Sequence, residues 1–325
     1  MDRQRASQGQ QSAPPLALLF AAGEGRRLLP LTAERPKPAL PLLNRPLMAF
    51  TLDHLAASGV RDAIVNLYHL PQALEEALER IRPEGLDLRL SRERVLLGTG
   101  GGLRQALRAW PQPHSSILVA NADTLTKVDL LDLQQQHQAS KPWATMVLRR
   151  PEQALGLPAK VVAKVESGRV LSIRDIPEVD ASAGGQRFVF SGIHLLSRAA
   201  LDDLPEQGCI IEAYHRALLR GDRVGAYVDD SDWRSIDTLQ DYLRAHVELL
   251  RGEQRWPGLE VDEAGCCIHP SASVSARASL ECCSVAAGAK IVGSARLVRT
   301  VVWEGCEVSE DLQDAIVTPR GIHRL

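Results

Sequence analysis

The chain has 325 residues, 45% of them hydrophobic, which is enough for a substantial core and for two domains. A formal net charge of −2, with no Lys/Arg cluster interleaved with aromatics, argues against nucleic acid or an anionic membrane as partner. The apolar run 16–22 is too short to span a bilayer.

Residues 1–14 are rich in Gln, Ser and Pro and are expected to form a disordered tail. Arg3 and Arg5 precede the apolar run, but no small-residue cleavage site follows it, so the run reads as a buried strand. Pro46 then opens a helix with Met48, Leu52 and Leu55 on one face, and Gly59 ends it. A strand is expected over 63–67, and a helix from Pro71 with Leu74, Leu78 and Ile81 inward. Further strands are read over 86–90, 117–120 and 144–148. Strands separated by helices imply βαβ units and a mostly parallel sheet.

After Pro151 the pattern changes. Residues 160–173 read as a hairpin turning at Ser167-Gly168, and 188–196 as a strand. Helices follow over 210–219 and 239–250. The stretch 251–258, with Gly252, Pro257 and Gly258, reads as a linker. Beyond it Ile268, Val274 and Leu280 recur every six residues with small residues between them. Ile291 and Leu297 repeat the step, as do Val302 and Val308. A six-residue period is the mark of a β-helix with one short strand per face; a plain β-sandwich is the competing reading. Six cysteines lack any C-x-x-C spacing, so buried reduced thiols in a cytoplasmic protein are expected, against the alternative of a metal cluster.

The chemistry concentrates where the first strand ends. Gly23 and Gly25 allow a backbone turn that presents N–H groups to phosphates, and Arg26 and Arg27 follow at once. Lys37 lies between Pro36 and Pro38, which stiffen its segment. Together they make a cationic cradle for a triphosphate. A dinucleotide fingerprint would need glycine where Leu28 stands, which disfavours an NAD-dependent oxidoreductase, and no P-loop run is present. Asp123 closes the strand Val119-Ala120-Asn121-Ala122-Asp123; a carboxylate there suits Mg²⁺ shared with substrate phosphates, while helix capping is the alternative.

The run Gly23-x-Gly25-x-Arg27-Leu28-x-Pro30-Leu31-Thr32, followed by Pro36-Lys37-Pro38-Ala39-Leu40-Pro41 and Arg45-Pro46-Leu47, resembles the signature of sugar-1-phosphate nucleotidyltransferases. The resemblance extends to Glu93, to the segment 97–103, to Asn121-Ala122-Asp123, to Phe190-Ser191-Gly192-Ile193 and to 233–242. The layout is most similar to that of mannose-1-phosphate guanylyltransferases with a hexapeptide-repeat C-terminal domain. It implies an α/β fold: a Rossmann-like, mostly parallel sheet flanked by helices over 15–250, then a left-handed β-helix over 259–325, whose flat faces suggest a homo-oligomer.

The resemblance also implies roles. Ala21, Ala22 and Gly23 would lie near base and ribose, Gly25 near the phosphates, and Glu93, Gly98 and Thr99 where the base is read. Arg27 would hold the leaving pyrophosphate and Lys37 the α-phosphate and incoming sugar phosphate. Asn121 and Gly192 would face the sugar. One departure bears on the metal: the family's Trp-x-Asp-Ile/Val-Gly-Thr reads Trp233-Arg234-Ser235-Ile236-Asp237-Thr238 here. The second Mg²⁺ carboxylate is therefore assigned to Asp237, with Asp232 as alternative. The same departure motivates a rival reading, a non-catalytic regulatory paralogue that binds a sugar nucleotide. The family's Glu-Lys-Pro sugar-contact segment is not recognisable near 164–174.

Overall fold

A computed structural model describes residues 13–325 apart from 109, 111–113, 155, 181–183, 254–255 and 257–258. All but the last two positions of the expected tail, and half of the expected linker, lie outside the described residues.

Nine strands form the main sheet: β1 Leu16–Phe20, β2 Asp62–Leu67, β3 Asp87–Arg92, β4 Ser116–Asn121, β5 Ala144–Arg149, β6 Val161–Lys164, β7 Arg169–Ile173, β8 Gln186–Ser197 and β9 Val224–Val228. Their order is β3-β2-β1-β4-β8-β5-β9-β7-β6, with β8 also pairing β6. β1 is buried on both faces, as its unbroken apolar run requires of a central strand. The helices are α1 Leu47–Ala57, α2 Pro71–Ile81, α3 Gly98–Arg108, α4 Leu130–Ser140, α5 Ile211–Leu219 and α6 Leu239–Leu250.

The sheet is mixed, which corrects the expectation of a mostly parallel one. β1 to β4 run parallel to their neighbours within that half, as do β5 and β9. β8 is antiparallel to β4, β5 and β6, and β7 to β9 and β6. The reason is local. β6, β7 and β8 succeed one another with no α-helix between them among the described residues, and a parallel return needs a long crossover.

Beyond residue 259 the chain coils. Cys267 pairs with Ser284, and Ser284 with Val301, in parallel, so these circuits take 17 residues each, and the next, from Val301 to Ile316, takes 15. Ser273, Lys290 and Glu307 repeat the 17-residue step on a second face, and Ser279 with Arg296 on a third. This coil does not stand apart. Leu40, Leu42, Leu47 and Phe50 share one apolar cluster with Tyr242 of α6 and with Cys283, Val301 and Trp303 of the coil.

Candidate active site

The C-terminal ends of β1, β2 and β4 open into a cleft of about 510 Å³. In α/β sheets of this kind the strand ends are where ligands bind. Ala21, Ala22, Gly23, Gly25, Arg26, Arg27, Lys37, Asn66, Glu93, Gly98, Thr99, Asn121, Asp123, Ser235 and Asp237 all line it.

The glycine turn is locked by its own chemistry. Gly25 has φ +62°, in the left-handed region, and a Cβ there would come within 2.8 Å of Thr32 and 3.3 Å of Lys37. Its carbonyl accepts from Leu28 N at 2.9 Å and from Thr32 Oγ1 at 3.0 Å. The Thr32 carbonyl is in turn held by His69 Nε2 at 3.0 Å. Gly23 differs: a Cβ there would meet nothing within 4 Å, so its lack of a side chain leaves open cleft.

A short antiparallel ribbon brings the two aspartates together. Thr124–Thr126 pairs with Trp233–Ser235, Thr124 opposite Ser235, so Asp123 and Asp237 extend from neighbouring ends. Thr238 and Asp241 form a capping box at the start of α6, and the same Asp241 oxygen accepts from Asp237 N at 3.3 Å. Lys37 Nζ lies 2.6 Å from Asp123 Oδ2 and 3.0 Å from Asp237 Oδ1. Arg27 donates to the same Asp237 oxygen at 2.9 Å, and Ser235 Oγ donates to the other at 2.5 Å. Burial works against the Lys37 ammonium, but Asp123 and Asp237 outweigh it and raise its pKa. Burial likewise works against the Asp237 carboxylate, but Lys37, Ser235 and Arg27 outweigh it and lower its pKa. The other acidic candidate, Asp232, is paired with Lys127 at 2.6 Å and is outside the cleft lining.

Two of the expected base-reading residues, Glu93 and Thr99, are held by hydrogen bonds to neighbouring segments. Glu93 is buried; Oε1 accepts from Asn66 Nδ2 at 2.7 Å and Oε2 from Leu97 N at 2.9 Å. Asn66 Oδ1 accepts from Ala21 N at 2.7 Å. Asn66 thus joins the loop after β1 to the loop before α3, a role the sequence reading missed. The available signal was a polar residue at the end of the apolar run Ala63-Ile64-Val65. Thr99 Oγ1 accepts from Ile210 N at 3.0 Å, fixing the start of α5. Gly192 lies outside the cleft lining. It stands behind Asn121, where a Cβ would come within 2.5 Å of the amide nitrogen.

A loop-bound cleft with Arg27, Lys37 and paired carboxylates is chemically suited to polyphosphate. The model of the family described as "Nucleotidyl transferase" matches residues 16–252. The chain belongs to the nucleotidyl transferase family. Among curated relatives, this nucleotidyl transferase is 29% identical over 299 residues to the mannose-1-phosphate guanylyltransferase of Mycobacterium tuberculosis, covering 90% of this chain and 80% of the relative. It is 27% identical to a UTP--glucose-1-phosphate uridylyltransferase of Synechocystis, with 75% and 66% covered. It is also 27% identical to a mannose-1-phosphate guanyltransferase of Schizosaccharomyces pombe, with 70% and 62% covered. The chain therefore spans just under two thirds of the lengths of the latter two. All six thiols are unpaired, and no helix among the described residues is long and apolar enough to cross a membrane.

Proposed function

We propose that this nucleotidyl transferase joins a nucleoside triphosphate to a sugar 1-phosphate, and that GTP and mannose 1-phosphate are the pair it uses. The observation that carries the reading is the convergence of Lys37 on both Asp123 and Asp237, with Arg27 on the latter, beside the glycine turn. In this reading residues 15–250 are the catalytic domain, 251–258 a linker and 259–325 a left-handed β-helix. Its cytoplasmic location is supported by the six free thiols. A homo-oligomer formed through the coil is supported by the exposed Ile268 and Val274 on its surface.

In the reaction, an oxygen of the sugar phosphate bonds to the α-phosphorus while the bond from that phosphorus to the α–β bridging oxygen breaks. Pyrophosphate leaves with the electron pair. Arg27 holds the departing phosphates, and Lys37 meets the α-phosphoryl oxygens as their charge grows. The turn at Gly25 offers backbone N–H groups, while Asn66 and Glu93 keep the loops on either side of the base in register. Asp123 and Asp237 would hold Mg²⁺: they are hard oxygen donors, and they already share one cationic group, the Lys37 ammonium. When bound, such an ion neutralises phosphate charge.

Two of the three relatives described act, by name, on mannose 1-phosphate, and the third on glucose 1-phosphate with UTP. Purified protein is therefore to be assayed for pyrophosphate release with a matrix of triphosphates and sugar 1-phosphates, with and without Mg²⁺. Turnover highest with GTP and mannose 1-phosphate supports the assignment. A different preferred pair replaces it, and no turnover with any pair favours the regulatory paralogue.

A further inference from the structure

The segment that carries Lys37 is gripped by the C-terminal coil at three places, and at a fourth by α6, which the coil backs. Glu34 lies 3.6 Å from Arg320. Arg35 makes a two-pronged pair with Glu304, at 3.2 and 2.5 Å, while its guanidinium sits 5.0 Å above the ring of Trp303. The Pro41 carbonyl accepts from Tyr242 Oη and from His246 Nε2, the latter at 3.2 Å, and Trp303 Nε1 donates to Tyr242 Oη at 3.2 Å. Asn44 Nδ2 donates to Val285 O at 3.2 Å and to Cys267 O at 3.4 Å. Trp303 is 1% exposed, so the base of this grip is rigid.

Arg35 is joined to Lys37 through Pro36 alone, whose ring fixes the backbone between them. A displacement of Arg35 is thus passed to Lys37 with little slack. Among the described residues Arg35 is held by Glu304, by Trp303 and by its own helical turn, through Leu31 O, and by no side chain of the catalytic cleft.

We propose that the coil is a positioning element for catalysis, with Arg35 as the positioning residue and Glu304 and Trp303 as its anchor. Arg35 touches no substrate; it sets where the Lys37 ammonium stands relative to Asp123, Asp237 and the α-phosphate. The proposal rests on Lys37 acting in the transfer. The Arg35–Glu304 pair is half-exposed, where an ion pair adds little to stability, so its loss acts on geometry rather than on folding. It predicts a selective effect on turnover, because the glycine turn and Arg27, which hold the triphosphate, are outside the grip.

The test uses the full chain with Arg35→Glu, Glu304→Arg, the double reversal, and Lys37→Ala as control. Each single reversal is expected to lower kcat roughly tenfold, inside the hundredfold range that a 1 Å misplacement reaches. KM for the triphosphate is expected to move less than about twofold, since ground-state binding is not engaged. The double reversal is expected to recover most of the lost kcat, with melting temperatures of the Arg35 and Glu304 variants close to that of the parent. Parental kcat in both single variants would overturn the proposal. So would slow singles that the double reversal does not rescue, or singles slowed in proportion to lost thermal stability. Where the parent turns over and Lys37→Ala turns over equally well, the Lys37 reading fails; where Lys37→Ala is inactive and the Arg35 and Glu304 variants are normal, only the grip fails. Glu304→Gln keeps the shape of the side chain and serves if the reversals do not fold.

Discussion

Thr124 and Ser235 face each other across a two-stranded ribbon, and that single register places Asp123 and Asp237 around one ammonium group. The two aspartates are 114 residues apart in sequence, so the pairing is set entirely by tertiary structure. The backbone beyond Ser235 then runs into the capping box of α6, which holds Asp237 in place.

Asp237→Asn tests the assignment of that carboxylate. The amide retains size but loses the charge that meets Lys37 and Arg27. Turnover is expected to fall on the order of a hundredfold, as for removal of one preorganised electrostatic group. Asp232→Asn, whose carboxylate is occupied by Lys127, is expected to stay near the parent. Steady-state pyrophosphate release at saturating Mg²⁺ compares the two; the reverse ranking would reassign the second carboxylate to Asp232.

Lys37 and Asp237 make opposite contributions to pH dependence. The pKa of Lys37 is raised above 10.5, so the stability it adds is complete below that pH and is lost as pH rises through the folded-state value. The pKa of Asp237 is lowered below 3.8, so its contribution is present above that pH and is lost as pH falls through the folded-state value. Melting temperatures recorded from about pH 9 to about pH 12 should fall more steeply in the parent than in Lys37→Met, which has no amine to titrate. Parallel curves would contradict the coupling.

Asn66→Ala removes a two-sided link inside the protein. It leaves the Ala21 N–H and one Glu93 oxygen without their partner. Leaving buried polar groups unpaired costs about 1–3 kcal/mol, which urea unfolding resolves. On the proposed reading the same variant should raise KM for the triphosphate, because the loops carrying Ala21 and Glu93 are no longer tied. An unchanged unfolding midpoint would show that the link is dispensable.

Gly23 and Gly98 should respond oppositely to alanine. Gly98 has φ +74°, and a Cβ there would come within 2.6 Å of Gly208 O, so Gly98→Ala is expected to lose at least about 1–2 kcal/mol of stability. Gly23 has open space where its Cβ would stand, so Gly23→Ala should melt like the parent and lose triphosphate affinity by calorimetry. Equal affinity would mean the ligand does not approach that stretch of backbone.

Much of the frame was legible because the signals are local. The apolar run of β1, Pro46 before α1 and Pro71 at the start of α2 each announce their element within a few residues. α4 was missed: its sequence Leu130-Leu131-Asp132-Leu133-Gln134-Gln135-Gln136 lacks a clean apolar stripe, and the helix is announced mainly by Asp129 capping Leu131 and Asp132. α3 was also hidden, because four of its first five residues are glycines, which disfavour a helix. The structure supplies the reason for them: Cβ atoms at Gly100, Gly101 and Gly102 would press on Pro205, Glu206 O and Glu93.

At the site, Arg27, Lys37 and Asp123 could be named from their motif. Their partnership with Asp237 could be guessed only through spacing on a strand. The link through Asn66 and the grip on Arg35 were invisible, since both join segments whose proximity is decided by the packed fold. Gly192 carried a motif signal, yet its visible work is to leave room for Asn121.

The apolar cluster shared by Leu40, Phe50, Tyr242, Val301 and Trp303 has a practical consequence for anyone trimming the protein. A truncation after Leu250 would strip away the cover over Tyr242, Leu249 and the underside of the Lys37 segment, baring a broad greasy surface. Such a fragment should precipitate or self-associate rather than behave as a smaller enzyme. The whole polypeptide should melt in one cooperative step, despite its two architectures.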